Sequence, residues 1–118
     1  MNSSKRFTQY PISKVQGFTK AERYRIQKGT HRYVITSCGE IAGFLLPISE
    51  LGTLNPIRKY TEFTLTEFRH SVGSVWSLLL SGFDCVYITF HNRRIMAFVS
   101  PKLFTKEELH GLSIQNPA

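Results

Sequence analysis

The side chains of this chain that could do chemistry are mainly arginines and lysines. The four histidines have no H-x-x-x-H spacing, and the two cysteines have no metal-ligand spacing. The serines and the single aspartate stand in no nucleophile-elbow or triad context, and no two carboxylates are placed for general acid–base work. We therefore expect a protein that is not an enzyme and that uses neither a metal nor a cofactor.

The positive charge is concentrated at the start of the chain. Residues 1–32 hold eight basic residues and one acidic residue, whereas residues 33–118 hold seven of each, so the net charge of +7 belongs to the first quarter. Such a localised positive field is expected where a protein contacts phosphate groups, although a solvated face that aids solubility is the alternative. The candidate contacts in this quarter are Lys14, Gln16, Lys20, Arg23 and Arg25. Gln16 is included because glutamine can pair with adenine through two hydrogen bonds.

The stretch from Thr61 to Phe104 predicts one strand, one amphipathic helix and one β-hairpin. Thr64 and Glu67 have the spacing of a capping box, and Gly82 can end the helix. The apolar face expected for this helix consists of Phe68, Val72, Val75, Trp76 and Leu79, with Trp76 in the core.

The hairpin after this helix supplies further basic candidates. Cys85–Phe90 and Ile95–Ser100 are β-branched and aromatic runs, and the polar residues 91–94 predict the turn between them. Arg93 and Arg94 would lie in that turn, where they could hold phosphate. Arg69, followed by His70, would lie on the exposed side of the helix start and could reach a base edge or a phosphate; pairing with Glu62 or Glu67 is the alternative.

The first half of the chain predicts a similar unit. Phe7–Ile12 is a short extended run, and Arg32–Ser37 and Ile41–Leu46 predict strands around a tight turn at 38–40. The helix between them starts near Lys14 or begins again at Lys20, where Thr19 and Glu22 offer a second capping box. Gly29 is expected to end it.

A shift of 53 positions places these two units on one another without a gap. Cap, helix stop, hairpin and strand end all stay in register, which favours an internal duplication. We expect an α+β fold in which tandem βαββ units form an intramolecular pseudo-dimer, with an antiparallel sheet and packed helices. The predicted segments are a basic leader at 1–6, a first unit at 7–51, a linker at 52–59, a second unit at 60–104 and a short tail at 105–118. One or two helical turns are expected at 105–112 and a loose end at 113–118.

The composition fits a small globular protein of the cytoplasm. Hydrophobic residues make up 42% of the 118 residues, which is enough for a core. No run of about 18 apolar residues is present, and the first residues contain no apolar stretch of signal-peptide type. We therefore expect no membrane partner.

The second unit resembles the N-terminal DNA-binding domain of the prevent-host-death (Phd)/YefM antitoxin family. The similarity runs through Thr64–Arg69, the Val72, Val75, Trp76 and Leu79 face, Ser81–Asp84, the hairpin Val86–Arg94 and Ala97–Pro101. The first unit is similar to the same pattern but more diverged.

This resemblance implies a pairing of two such domains that binds operator DNA and represses transcription. In the family an arginine near the helix start contacts DNA, and Arg69 stands at that position here; basic residues of the hairpin turn flank the DNA, as Arg93 and Arg94 would. The first unit has Gln16 and the turn 37–40 instead, and the segment after Phe104 is shorter than a toxin-neutralising tail.

Two classes of function follow from these observations. The first is a DNA-binding, antitoxin-like repressor, of mobile-element or prokaryotic origin, acting on double-stranded DNA as a monomeric pseudo-dimer or as a homodimer. The alternative is a protein-interaction module, either a toxin inhibitor or a scaffold, that keeps the fold without binding DNA. RNA binding stays open on charge alone, although the sequence indicates no exposed aromatic platform.

Overall fold

The structure is a computed structural model that describes residues 6–29, 32–54, 56–105 and 113–115. It is an α+β fold. Its strands are β1 (Arg6–Pro11), β2 (Arg32–Ser37), β3 (Glu40–Pro47), β4 (Tyr60–Thr64), β5 (Cys85–Phe90), β6 (Arg93–Val99) and β7 (Ser113–Gln115). Its α-helices are α1 (Lys20–Gln27), α2 (Leu65–His70) and α3 (Val72–Leu80). Short 3-10 helices occupy Ile12–Gly17, Ile48–Thr53 and Pro101–Leu103.

Both capping boxes predicted from the sequence are present. The Thr19 hydroxyl accepts from the Glu22 amide at 3.1 Å, and the Glu22 carboxylate accepts from the Thr19 amide at 2.7 Å. Thr64 and Glu67 make the same two bonds, at 3.1 and 2.8 Å. Each box satisfies two of the N–H groups that a helix start leaves unpaired. The first-half helix therefore begins at Lys20, and the segment before it is a 3-10 helix.

The single helix expected in the second half is in fact two helices. α2 ends at His70 and α3 begins at Val72, because Ser71 leaves the helical region with φ −128° and ψ 33°. The Ser71 amide still donates to the Glu67 carbonyl at 2.8 Å, which closes α2. The prediction of a continuous helix was wrong, although Phe68 and Val75 are both fully buried as expected.

The strands form one mixed sheet in the order β4-β5-β6-β3-β2-β1-β7. The expectation of an antiparallel sheet was wrong at three pairs, since β1 pairs with β2, β4 with β5 and β1 with β7 in parallel. In the two βαβ segments, α1 and the α2–α3 pair carry the chain back to the starting end of the sheet. A strand that follows such a crossover runs parallel to the strand before it.

Both hairpins have two-residue turns with positive φ at each position. Cys38 and Gly39 have φ of +52° and +83°, and His91 and Asn92 have +53° and +63°. Two consecutive residues with positive φ match the twist of the adjoining strands. The prediction of a four-residue turn at 91–94 was therefore wrong: Arg93 and Arg94 open β6 instead.

The strand pairings recur at the spacing found in the sequence. Phe7 faces Arg32 in the first parallel pair, and Tyr60 faces Cys85, each 53 positions later. The irregularity after Ile35 in the first hairpin recurs after Ile88 in the second. At the centre of the sheet β3 pairs antiparallel with β6, and Leu45 lies opposite Phe98, its own counterpart at this spacing.

Hydrophobic clusters cover both faces of the sheet. Helix residues Ile26, Phe68 and Val75 pack on one face together with strand residues such as Ile35 and Phe98. On the opposite face, Phe44 and neighbouring strand residues pack against the 3-10 segments that follow β3 and β6. The sheet therefore has a hydrophobic core on each of its two faces.

Gly43 in β3 has no room for a side chain. A Cβ atom at this position would lie 2.6 Å from Cε1 of Phe98 and 2.9 Å from the Val99 carbonyl oxygen. The Phe98 ring thus occupies the space that a side chain at residue 43 would need.

Asp84 joins the segment before β4 to the start of β5. Its carboxylate accepts from the amides of Arg58 and Lys59 at 2.7 and 2.9 Å and pairs with Nζ of Lys102 at 2.9 Å. Burial alone would raise the pKa of Asp84, but these hydrogen bonds and the Lys102 charge outweigh it and bring the pKa to about 2.

The end of the described chain differs from the expected loose tail. Ser113–Gln115 forms β7, which pairs in parallel with β1 at the edge of the sheet. Residues 106–112 of the expected helical turns and residues 1–5 of the leader lie outside the described residues.

Candidate nucleic-acid interface

Helix α1 carries the basic candidates of the first half. Lys20 is its first residue and is exposed, and Arg25 is exposed one turn later, where its side chain hydrogen-bonds that of Tyr33. Lys14, in the preceding 3-10 helix, is also exposed. These side chains are accessible to an anionic partner.

Arg23 differs from its neighbours on α1 because it is only 6% exposed. Its guanidinium carbon lies 4.0 Å from the centre of the Phe90 ring and 5.0 Å from that of Tyr24. Its Nε is buried and has no hydrogen-bond partner among the described residues. The structure thus encloses an arginine that the sequence groups with exposed charges.

Arg69 connects the two halves of the chain. It is half-buried near the end of α2, and its Nε and Nη2 donate to the Gln16 carbonyl oxygen at 3.1 and 3.0 Å. The two carboxylates considered as alternative partners of Arg69 are engaged elsewhere, since Glu62 pairs with Arg94 and Glu67 caps α2. Arg69 is therefore a contact between halves, with part of its donor capacity in use.

The two arginines that open β6 have different surroundings. Nε of Arg94 pairs with Oε2 of Glu62 at 2.5 Å, and the Arg94 guanidinium carbon lies 3.9 Å from the Tyr87 ring centre. The hydrogen bond to Glu62 raises the pKa of Arg94. Arg93 is exposed and has neither a hydrogen-bond nor an ion-pair partner among the described residues, so it is the more accessible cation of the pair.

A cavity of about 470 Å³ brings several candidates together. We call it the basic cavity; Thr19, Lys20 and Arg23 line it from α1, Arg69 from α2, and Phe90 and His91 from the β5–β6 hairpin. A smaller cavity of about 260 Å³ continues from Phe90 and His91 to Arg93 and Arg94. Basic side chains from both halves therefore lie along one surface. The candidates that line neither cavity are Lys14, Gln16, Arg25 and His70.

A second cavity occupies the equivalent place in the other half. It measures about 360 Å³, and its lining residues are Ile12, Ser13, Gln16, Val72, Gly73 and Trp76. We call it the neutral cavity.

The 53-residue spacing relates five lining residues of the basic cavity to lining residues of the neutral cavity. Lys20 corresponds to Gly73, Arg23 to Trp76 and Arg69 to Gln16. Trp76 is thus half-buried at a cavity wall as well as packed against the core. The two cavities therefore share part of their equivalent lining, which is basic in one and uncharged in the other.

Exposed aromatic rings are the feature that the sequence did not indicate. Tyr24, Tyr60 and Phe90 are 45%, 52% and 36% exposed. Phe90 is the last residue of β5, directly before the turn, where an aromatic side chain is not needed for the core. That position is the one signal in the sequence that could have identified it.

The described residues contain no group of three or more histidine, cysteine, aspartate or glutamate side chains arranged to hold a metal ion. None of the described helices has both the length and the apolar character needed to cross a bilayer.

Comparison with known proteins adds no relative. The chain matches no protein-family model, no curated protein and no solved structure. The similarity to the Phd/YefM pattern stays a prediction from the residues.

Proposed function

We propose that this protein is a DNA-binding, antitoxin-like transcriptional repressor built from two fused Phd/YefM-like units. The observation that carries the proposal is the continuous basic surface on which α1 of the first half meets the β5–β6 hairpin of the second. Lys20 and Arg93 are exposed there, and the cavities between them are lined by Arg23, Arg69 and Arg94. Lys and Arg side chains on one surface supply most of the affinity for a duplex by contacting phosphates.

The internal repeat supports the fused arrangement. A domain of this family would pair with a second copy, and here the second copy follows in the same chain. The central β3–β6 pairing, with Leu45 opposite Phe98, has the geometry of a two-fold contact between equivalent strands. The pseudo-dimer is therefore proposed to form within one molecule.

The difference between the halves predicts the kind of site. Two identical halves would read a palindrome, whereas these two present Arg69 at one position and Gln16 at the equivalent one. Arginine favours guanine and glutamine favours adenine when they read base edges. The proposed operator is accordingly not palindromic.

Fluorescence anisotropy with labelled duplex DNA tests the proposal. Affinity should fall steeply between about 50 and 200 mM salt, because bound phosphates release counterions. Arg93→Gln should weaken binding and reduce the slope of log K against log salt by about 0.9, the value expected for one phosphate contact.

Arg58→Gln is the matched control for this experiment. Arg58 is exposed but lines neither the basic cavity nor the one beside it, so the same loss of charge should leave the slope unchanged. Binding that does not respond to salt, or equal effects of the two substitutions, would refute the proposed interface.

A protein-interaction module is the second candidate. Two of the arginines that the family pattern assigns to DNA have partners inside the protein, Arg69 with the Gln16 carbonyl and Arg94 with Glu62. A toxin inhibitor or scaffold would not need the side chains of Arg69 and Arg94 to be available for DNA. The anisotropy experiment decides between the classes, since this candidate predicts no binding of duplex DNA even at low salt.

A further inference from the structure

Burial of the Arg23 side chain is energetically unfavourable unless a ligand pairs with its guanidinium group. A buried donor without a partner is unfavourable, and a buried guanidinium carries a larger penalty. The fold does not require this arginine, because the equivalent position in the other half is Trp76. Contacts with the Phe90 and Tyr24 rings position the guanidinium group, but its Nε–H has no hydrogen-bond acceptor among the described residues.

The surroundings of Arg23 are those of an anion site. Lys20 and Arg69 line the same cavity, and His91 faces it from the hairpin. The start of the eight-residue helix α1, at Thr19 and Lys20, adds partial positive charge.

The nearest acidic residue of α1 does not neutralise this arrangement. The Glu22 carboxylate accepts hydrogen bonds from the Thr19 amide at 2.7 Å and from the Tyr10 hydroxyl at 3.3 Å. It also does not line the basic cavity.

We propose that the basic cavity binds the terminal phosphate of a small phosphate monoester of mononucleotide size. A phosphate dianion can accept from Arg23, Lys20 and Arg69 together, and guanidinium groups match its oxygens in pairs. A volume of about 470 Å³ lies within the range of small-ligand sites. The phosphate of a monoester has one substituent and can enter with its free oxygens towards the buried Arg23.

This ligand is distinct from the proposed operator DNA. Each backbone phosphate of a duplex is a diester with chain on both sides, which suits the exposed Lys20 and Arg93 better than the enclosed Arg23. Lys20 and Arg69 would serve both ligands, whereas Arg93 does not line the basic cavity. Arg93→Gln should therefore weaken DNA binding without changing monoester binding, and the small-molecule experiment does not depend on DNA binding.

Isothermal titration calorimetry on the full chain tests the inference. The probes are inorganic phosphate, a nucleoside 5′-monophosphate and the same nucleoside without phosphate. The monophosphate should bind, inorganic phosphate should compete with it, and the nucleoside should give no heat.

Three substitutions locate the site. Arg23→Trp, which copies the neutral cavity, should lower the affinity roughly tenfold or more, as expected for losing a charge-assisted hydrogen bond to a bound anion. Lys20→Gln, at an exposed position, should lower it several-fold. Arg58→Gln removes one charge away from the cavity and should leave it unchanged.

The outcomes that would overturn the inference are specific. They are no binding of the monophosphate at about 10 mM, equal binding of the nucleoside, or equal weakening by Arg58→Gln. If Arg23→Trp does not fold, the nucleoside control and Lys20→Gln decide the question. Tighter binding of a 5′-phosphorylated single strand than of the mononucleotide would also overturn the small-ligand assignment.

Discussion

Asp84 should give the protein a stability that disappears in acid. Its carboxylate is only 8% exposed and is held by two backbone amides and Lys102, which bring its pKa from the ordinary 3.8 to about 2. Because the folded protein binds the proton more weakly than the unfolded chain, the stabilisation is complete above about pH 4 and is lost as the pH falls through 2. The difference of nearly two pKa units corresponds to roughly 2 kcal/mol.

The measurement is urea unfolding of the protein and of Asp84→Asn at a series of pH values from 7 to 2. The variant should be less stable by roughly 2 kcal/mol at neutral pH, and the gap should narrow below pH 4. Glu40→Gln, which alters an exposed carboxylate at a hairpin turn, is the control and should show no such gap. A difference between protein and Asp84→Asn that stays constant down to pH 2 would refute the assigned hydrogen bonds.

Two further predictions concern residues of contrasting surroundings. Gly43→Ala should destabilise the protein by about 1–3 kcal/mol, because its methyl group would meet the Phe98 ring. Gly73→Ala is the control, because nothing lies within 4 Å of the new methyl group in α3. It should stabilise the protein by up to about 1 kcal/mol. Equal effects of the two substitutions in thermal unfolding would contradict the assigned contact between residue 43 and Phe98. Cys38 is exposed in a turn, whereas burial raises the pKa of the Cys85 thiol to about 12, so a thiol reagent should label only Cys38 until the protein unfolds. Mass spectrometry counts the labelled cysteines. Labelling of both cysteines in the folded protein would show that β5 is less protected than the structure indicates.

The elements that local signals determine could be predicted from the sequence. Both capping boxes and the strands β2 and β5 follow from residues close together in the chain, and the 53-residue register follows from comparing the chain with itself. The helix break at Ser71 could also have been found. The first half shows an interruption between Gly17 and Thr19, and Ser71 is the counterpart of Phe18 within it.

The candidate site could not be predicted to the same degree. The stacking of Arg23 on Phe90 and the bond from Arg69 to the Gln16 carbonyl join residues more than 50 positions apart. Burial of Arg23 depends on how α1 meets the second hairpin, which no local pattern encodes. Composition identified the basic quarter correctly but gave no sign that one of its arginines lies inside a cavity.

The pairing of β3 with β6 has a consequence for synthesis on the ribosome. β3 is buried over most of its length, and β6 lies roughly 50 residues later in the chain. At about 5–20 residues per second, the ribosome needs roughly 3–10 s to make the strand that pairs with β3. During that interval the nascent first half has an apolar strand with an open edge, which is the type of segment that chaperones bind and that pairs with other chains. The inner edges of both halves are covered only when β6 has emerged, so the chain is expected to fold late and as one unit.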